Sequence, residues 1–159
     1  MTHLYYVRHA QPDYSVHDDL TRPLTEKGMR DCALVTDFLT DKSIDRVFSS
    51  PYKRAVDTVQ PFAAQAHLPV TLIDDLRERR IDDFESFCKA QWADFDYRYK
   101  DGECLREVQE RNINALQKIL LTCAEQNIVI GGHGTALSTI INFYDSAFGY
   151  EDFIRMRSK

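Results

Sequence analysis

Arg8-His9, Arg54 and Gly132-His133-Gly134 are the residues of this sequence whose types could do chemistry together. Arginine presents forked, permanently charged donors, and histidine can donate, accept a proton or attack. Two of each converging would hold a compact oxyanion carrying several charges, and phosphate is the guest that fits. Glycines at 131, 132 and 134 let the backbone come close to such a group. A helix starting after Gly134 would also turn its positive end towards the same point. Taken singly, these residues carry less. Arg8 and His9 could merely end a strand, His133 could be a turn residue, and Arg54 could be an ordinary helix-surface cation. Only a common placement selects them.

The surrounding pattern supplies that placement. Leu4 to Val7 is a short apolar run that predicts a buried strand ending in Arg8-His9-Ala10. Thr25 then caps a helix with Ala33, Val35, Phe38 and Leu39 as its apolar face. Ile44 to Phe48 is a second strand, running into Ser49-Ser50-Pro51, where Ser50 suits an N-cap and Pro51 the first helical position. The helix after it carries Ala55, Val59, Phe62, Ala63 and Ala66, and Pro61 should kink it or set it back by a turn. Pro69 to Ile73 is a third strand. Leu105, Val108, Asn112, Leu116, Ile119 and Cys123 mark the strongest amphipathic helix. Ile128 to Ile130 is a fourth strand entering the glycine-rich turn at His133, and a helix from Thr135 to about Tyr144 follows. Strands alternating with helices predict an α/β protein, a single three-layer α/β/α domain over residues 1–159 with a largely parallel sheet. In such sheets function collects where strands end and helices begin.

Composition narrows the partners. At 159 residues the chain can bury a core without disulfides or a structural metal. Its net charge of −5 argues against nucleic acid and against a polybasic membrane surface. A cationic pocket for a small anion is compatible with an acidic body. Cys32, Cys88, Cys104 and Cys123 form no C-x-x-C pair, the usage of reduced thiols rather than of a zinc site or disulfide framework. No apolar run has the form of a signal peptide or the length of a membrane span, so a cytoplasmic location is expected.

Five segments, taken in order, resemble a known family. Arg8-His9-Ala10-Gln11, Leu24-Thr25-Glu26-Lys27-Gly28, Ser49-Ser50-Pro51-Tyr52-Lys53-Arg54-Ala55, Leu76-Arg77-Glu78 and Gly132-His133-Gly134-Thr135 are similar to the motifs of the histidine phosphatase superfamily, in its phosphoglycerate-mutase-like branch. The likeness runs to about residue 140. It implies a phosphoglycerate-mutase-like fold and a metal-independent phosphatase, without cofactor, that hydrolyses phosphomonoesters through a phosphohistidine on His9. On the same resemblance Arg8, Arg54 and His133 hold the phosphoryl oxygens beside His9. Glu78 would protonate the leaving alkoxide and later activate water. Read alone, Glu78 stands in a charged run that is usually a solvated face.

Departures from the family pattern bear on substrate. The Glu-Arg-His-Tyr-Gly signature of a glycolytic mutase is absent, and a short stretch from Arg79 to Glu85 takes its place. That favours phosphatase, with a mutase-type phosphotransferase and a non-catalytic phosphoryl-binding module as the alternatives. Residues 81–100 are expected to lie over the pocket as a cap and specificity segment. Its Phe84, Phe87, Trp92, Phe95, Tyr97 and Tyr99 either close over a leaving group or pack the cap onto the core. Lys89, Arg98 and Lys100 could meet a second anionic group. Gly102-Glu103-Cys104 stands where the family commonly has Gly-Glu-Ser, with Cys104 in the place of a serine cap. His3, His17 and His67 belong to no motif and are expected on the surface or in loops. The expected partner is a small phosphorylated substrate, with no nucleic acid and no membrane; the oligomeric state stays open, a homodimer included. The sequence stops soon after Tyr150, so a short C-terminal sheet edge is expected, either trimmed in the protein or continued beyond residue 159.

Overall fold

Four strands carry the apolar runs, and all of them run in one direction. In the computed structural model, which describes residues 1–80 and 84–158, β1 is His3–Arg8, β2 Arg46–Ser49, β3 Val70–Leu72 and β4 Asn127–Gly132. The sheet order is β1-β4-β2-β3, and every pairing is parallel. Parallel neighbours need crossovers, and helices provide them. These are α1 (Glu26–Thr40), α2 (Lys53–Gln65), α3 (Phe84–Ala93), α4 (Leu105–Thr122), α5 (Gly134–Tyr144) and α6 (Tyr150–Arg157). A single 3-10 turn, Asp74–Leu76, follows β3.

The expected α/β architecture is the observed one, with core on both faces of the sheet. Because successive strand residues point to opposite faces, Val129 of β4 packs with Leu39, Val59 and Phe62 on the α1/α2 side. Ile128 and Ile130 pack with Ile113, Leu116, Ile119 and Ile140 on the α4/α5 side. β4 is therefore apolar without alternation, as a central parallel strand must be. Each such buried aliphatic side chain contributes roughly 1.5–3 kcal/mol. The apolar stripe expected for α4 is buried along its whole length, Asn112 included.

Two helices differ from expectation for identifiable reasons. On α1, Ala33 and Phe38 are exposed, and the buried stripe is Gly28, Cys32, Thr36 and Leu39. Small residues define that face because α1 lies close to its neighbours: the Cys32 thiol is 3.6 Å from the Asp57 carbonyl of α2. That carbonyl is the one Pro61, lacking an N–H, cannot bond, and α2 runs through Pro61 without a break. Its N-cap is Tyr52 rather than Ser50, whose hydroxyl instead accepts the Tyr52 N–H (3.2 Å). Thr25 caps α1 as expected, accepting the Gly28 N–H at 3.0 Å.

The C-terminal segment ends in α6. Phe153 is buried there, stacked on Trp92 of α3 with ring centroids 5.4 Å apart, and Phe95 meets the same indole edge-on. β1 forms one edge of the sheet.

Gly28 sits at a close approach on which the first loop depends. A Cβ there would run into the Gln11 carbonyl oxygen, with the Gln11 amide nitrogen 3.1 Å away. Alanine would gain about 0.5–1 kcal/mol of helix propensity, but overpacking against backbone costs about 1–3 kcal/mol. Gly28→Ala should therefore lower the thermal midpoint. A higher midpoint in that variant would show that the contact does not exist.

Candidate active site

The parallel register brings three strand ends level. Arg8 lies beside Gly132 and Ser49 beside Gly131. Just beyond them, the His9 N–H donates to the Gly132 carbonyl and the Ser50 N–H to the Gly131 carbonyl, both at 2.9 Å. His9, Ser50 and His133 thus leave the sheet side by side. α2 anchors the first of them, since Thr58 Oγ1 accepts the Ala10 N–H (3.0 Å) and donates to the Arg54 carbonyl (2.7 Å). Gly132 is required by proximity: a Cβ would collide with the Tyr6 hydroxyl, which accepts the His133 N–H at 3.2 Å.

The two imidazoles meet edge to face, 5.3 Å apart. His9 Nδ1 is 2.8 Å from the Ala10 carbonyl, which can only accept, so Nδ1 carries the proton and Nε2 keeps its lone pair. Burial pushes the His9 pKa down to about 4, and Arg54, Arg8 and Arg22 add to the effect against the Ala10 hydrogen bond. His133 has no exposed surface. Burial first, then Arg54, His9 and Arg111, hold its pKa well below the usual value. Its Nε2 lies 2.8 Å from Ser50 Oγ, and its Nδ1 is buried without a hydrogen-bond partner. Both rings are neutral at neutral pH.

Beside them is a cavity of about 630 Å³ lined by His9 and by six arginines, Arg8, Arg22, Arg54, Arg79, Arg80 and Arg157. Among the described residues its acids are Asp19 and Glu78. Buried Arg54 donates through Nη1 to the Asp19 carbonyl (2.6 Å) and lies 3.0 Å from its carboxylate, which Arg22 also approaches at 2.8 Å. Its guanidinium stacks over the Tyr52 ring, 5.0 Å from the centroid. Arg8 reaches the last carbonyls of α6, at Met156 (2.9 Å) and Arg157 (3.3 Å). Glu78 accepts the N–H groups of Thr135 (3.1 Å), Ala136 (3.2 Å) and Arg79 (2.9 Å). The positive end of α5, expected to face an incoming anion, is therefore occupied by the Glu78 side chain.

Arg8, His9, Arg54 and Glu78 thus share one cavity; His133, expected to hold phosphoryl oxygens with them, is fully buried against the His9 ring and does not line it. A permanently charged ring around a neutral imidazole can bind a phosphoryl group and offer it a nitrogen lone pair. A family model of the histidine phosphatase superfamily (branch 1) matches residues 4–156. The chain belongs to that superfamily. A Bacillus subtilis (strain 168) protein described as the uncharacterized phosphatase PhoE is 27% identical over 147 residues, 89% of this chain and 76% of its own length. The solved structure of YhfR from Bacillus stearothermophilus superposes with a TM-score of 0.77 at 25% identity, covering 92% of this chain and 81% of that one. A mycobacterial glucosyl-3-phosphoglycerate phosphatase shares the fold, with a TM-score of 0.77 at 20% identity over 88% of this chain and 77% of its own.

Within this superfamily member, several expected contributors lie elsewhere. Arg98 is tied to Glu107 (2.6 Å) and Lys100 stands over the Tyr99 ring, so neither they nor Lys89 line the cavity. Ile81 and the side chain of Phe84 lie outside the described residues. Phe87 stacks on Tyr99, and Trp92 and Phe95 pack against α6, so residues 87–100 contribute no lining. Among the described residues the aromatic side chains at the cavity are Tyr14 and Phe153, and His17 lines it despite belonging to no motif. Asp19 and Arg22 were not singled out by the sequence; their only signal is the Asp19-x-x-Arg22 spacing in a polar loop. Cys104 is the N-cap of α4, its N–H bonded to Glu107 (3.1 Å). Among the described residues no group of three or more His, Cys, Asp or Glu side chains is placed to hold a metal ion, and no helix is long and apolar enough to cross a membrane.

The depressed histidines make stability depend on pH. As pH falls below about 6.5 the unfolded chain takes up these protons first, so stability present above that pH is lost on the way to about 4. For His9 the loss is on the order of 3 kcal/mol. A His9→Gln variant should lose less stability than wild type in urea titrations across this window. An identical pH slope in the two proteins would contradict a buried, neutral His9.

Proposed function

We propose that this chain is a metal-independent phosphomonoesterase that works through a phosphohistidine on His9. The observation that carries the proposal is the His9 ring itself. Its Nδ1 proton is tied to the Ala10 carbonyl and its pKa is pushed down to about 4, which leaves a neutral Nε2 lone pair in an arginine-lined cavity. Nε2 attacks phosphorus in line, the N–P bond forms, and the bond to the ester oxygen breaks on the far side. Arg8 and Arg54 stabilise the charge on the equatorial oxygens, while His133, buried edge-on against His9, backs the nucleophile. Glu78 gives a proton to the departing alkoxide. In the second half Glu78 takes a proton from water, the water oxygen bonds to phosphorus, and the N–P bond returns its electrons to Nε2. The balance closes on alcohol and inorganic phosphate.

The cavity has room for an organic leaving group beside the phosphoryl group. The phosphatase names of the Bacillus subtilis and mycobacterial relatives favour water over a second phosphoglycerate as acceptor. The proposed substrate is accordingly a small phosphorylated molecule.

Hydrolysis of p-nitrophenyl phosphate in EDTA tests the reading. Wild type should turn over, and His9→Ala should fall by roughly 10³-fold or more. Vanadate affinity should drop roughly 10²-fold in Arg54→Ala, which removes a buried cationic donor. Vanadate binding without turnover from acid to neutral pH would instead describe a phosphoryl-binding module, and transfer to a phosphoglycerate acceptor a mutase.

A further inference from the structure

Glu78 lies in an irregular segment that no sheet ladder supports, yet a proton donor must hold its place to a fraction of an ångström. One side chain of α4 provides that support. Arg111, with its side chain only 10% exposed, donates to the carbonyls of Asp75 (2.8 Å), Arg77 (2.7 Å) and Glu78 (3.1 Å). Its two remaining N–H groups go to the two carboxylate oxygens of Glu103, both at 2.9 Å. All five donors of the guanidinium are therefore in use. Glu103 completes the frame, accepting the Arg80 N–H (3.0 Å) and Arg77 Nη2 (3.3 Å). Backbone groups on both sides of Glu78 are thus tied to one buried ion pair. Burial by itself would raise the Glu103 pKa, but the bonds from Arg111 and Arg80 hold it below the usual carboxylate range.

We infer that Glu103 and Arg111 are positioning residues that hold Glu78 at the leaving-group oxygen. This inference rests on the assignment of Glu78 as the proton donor. It gives the Glu of Gly102-Glu103-Cys104 a part in the chemistry without contact to substrate. Lysine at 111 keeps the charge but offers three donors in place of a planar fork of five, so it cannot hold three carbonyls and a carboxylate together.

The test compares leaving groups, because an alkoxide needs a proton and dinitrophenolate does not. The quantity is kcat/KM, which reports phosphoenzyme formation and excludes its breakdown. Glycerol phosphate and 2,4-dinitrophenyl phosphate are the probes, on wild type, Glu78→Gln, Arg111→Lys and Glu103→Gln. Glu78→Gln should lose roughly 10²-fold or more on glycerol phosphate and under about 10-fold on the dinitrophenyl ester. Arg111→Lys and Glu103→Gln should each lose about 10- to 100-fold on the first and under about 3-fold on the second, with vanadate affinity within about 3-fold of wild type. Glu103→Gln keeps the side-chain volume and serves where Arg111→Lys does not fold. Equal losses on both substrates, or wild-type rates on both, in the two brace variants overturn the inference while a leaving-group-dependent Glu78→Gln leaves the donor assignment standing. Equal losses on both substrates in Glu78→Gln remove the donor assignment, and the inference with it.

Discussion

The last two carbonyls of β4 hold the site together. Gly131 and Gly132 accept the N–H groups of Ser50 and His9, the first residues beyond the neighbouring strands, and β4 continues directly into His133. Placing β4 between β1 and β2 therefore does more than bury its isoleucines. It sets three functional positions level to within one residue, at the strand-order reversal where open parallel sheets bind ligands. A shift of register by one residue would turn every side chain of a strand to the opposite face and break this alignment. The glycines serve it through close approach, with Gly132 passing against the Tyr6 hydroxyl and Gly131 against Ser49 and Val59.

Electrostatics then divides the labour. The same burial that makes His9 and His133 hard to protonate surrounds them with cations, so the imidazoles stay neutral while the arginines carry the positive charge. Those arginines are in turn held by fixed partners: Arg54 by Asp19, Arg22 by Asp19 and loop carbonyls, Arg8 by the negative end of α6. The body is acidic at −5, yet among the described residues the cavity collects six arginines against two acidic side chains. An overall acidic charge and a phosphate-binding pocket are compatible because the field in a narrow cleft is set by its own walls.

Much of this was legible in the sequence. Strands and helices alternate with clear turn residues between them, so the ends of β1, β2 and β4 could be placed from local pattern, and Arg8, His9, Arg54 and His133 with them. Glu78 needed the family resemblance, because within Arg77-Glu78-Arg79-Arg80 nothing local separates a functional carboxylate from a solvated one. Long-range contacts stayed hidden. The packed face of α1 is made of Gly28, Cys32 and Thr36, which an apolar count passes over in favour of Phe38. Asp19 meets Arg54 across 35 residues, and Arg111 meets the segment around Glu78 across more than 30. The aromatics of 87–100 read as a lid or, for most of them, as packing; Trp92 stacks on Phe153, on a C-terminal helix with no motif, and Phe87 on Tyr99, which is packing.

The central claim is that phosphate passes through a covalent bond to His9 Nε2. Alkaline quenching during turnover, followed by peptide mass spectrometry, tests it most directly, since an N-linked phosphate survives base. The account predicts a phosphoryl group on the peptide carrying His9, appearing within the first turnover and absent after His9→Ala. Steady turnover with no phosphorylated His9 peptide at any time point, in a wild type that hydrolyses its substrate, would contradict it.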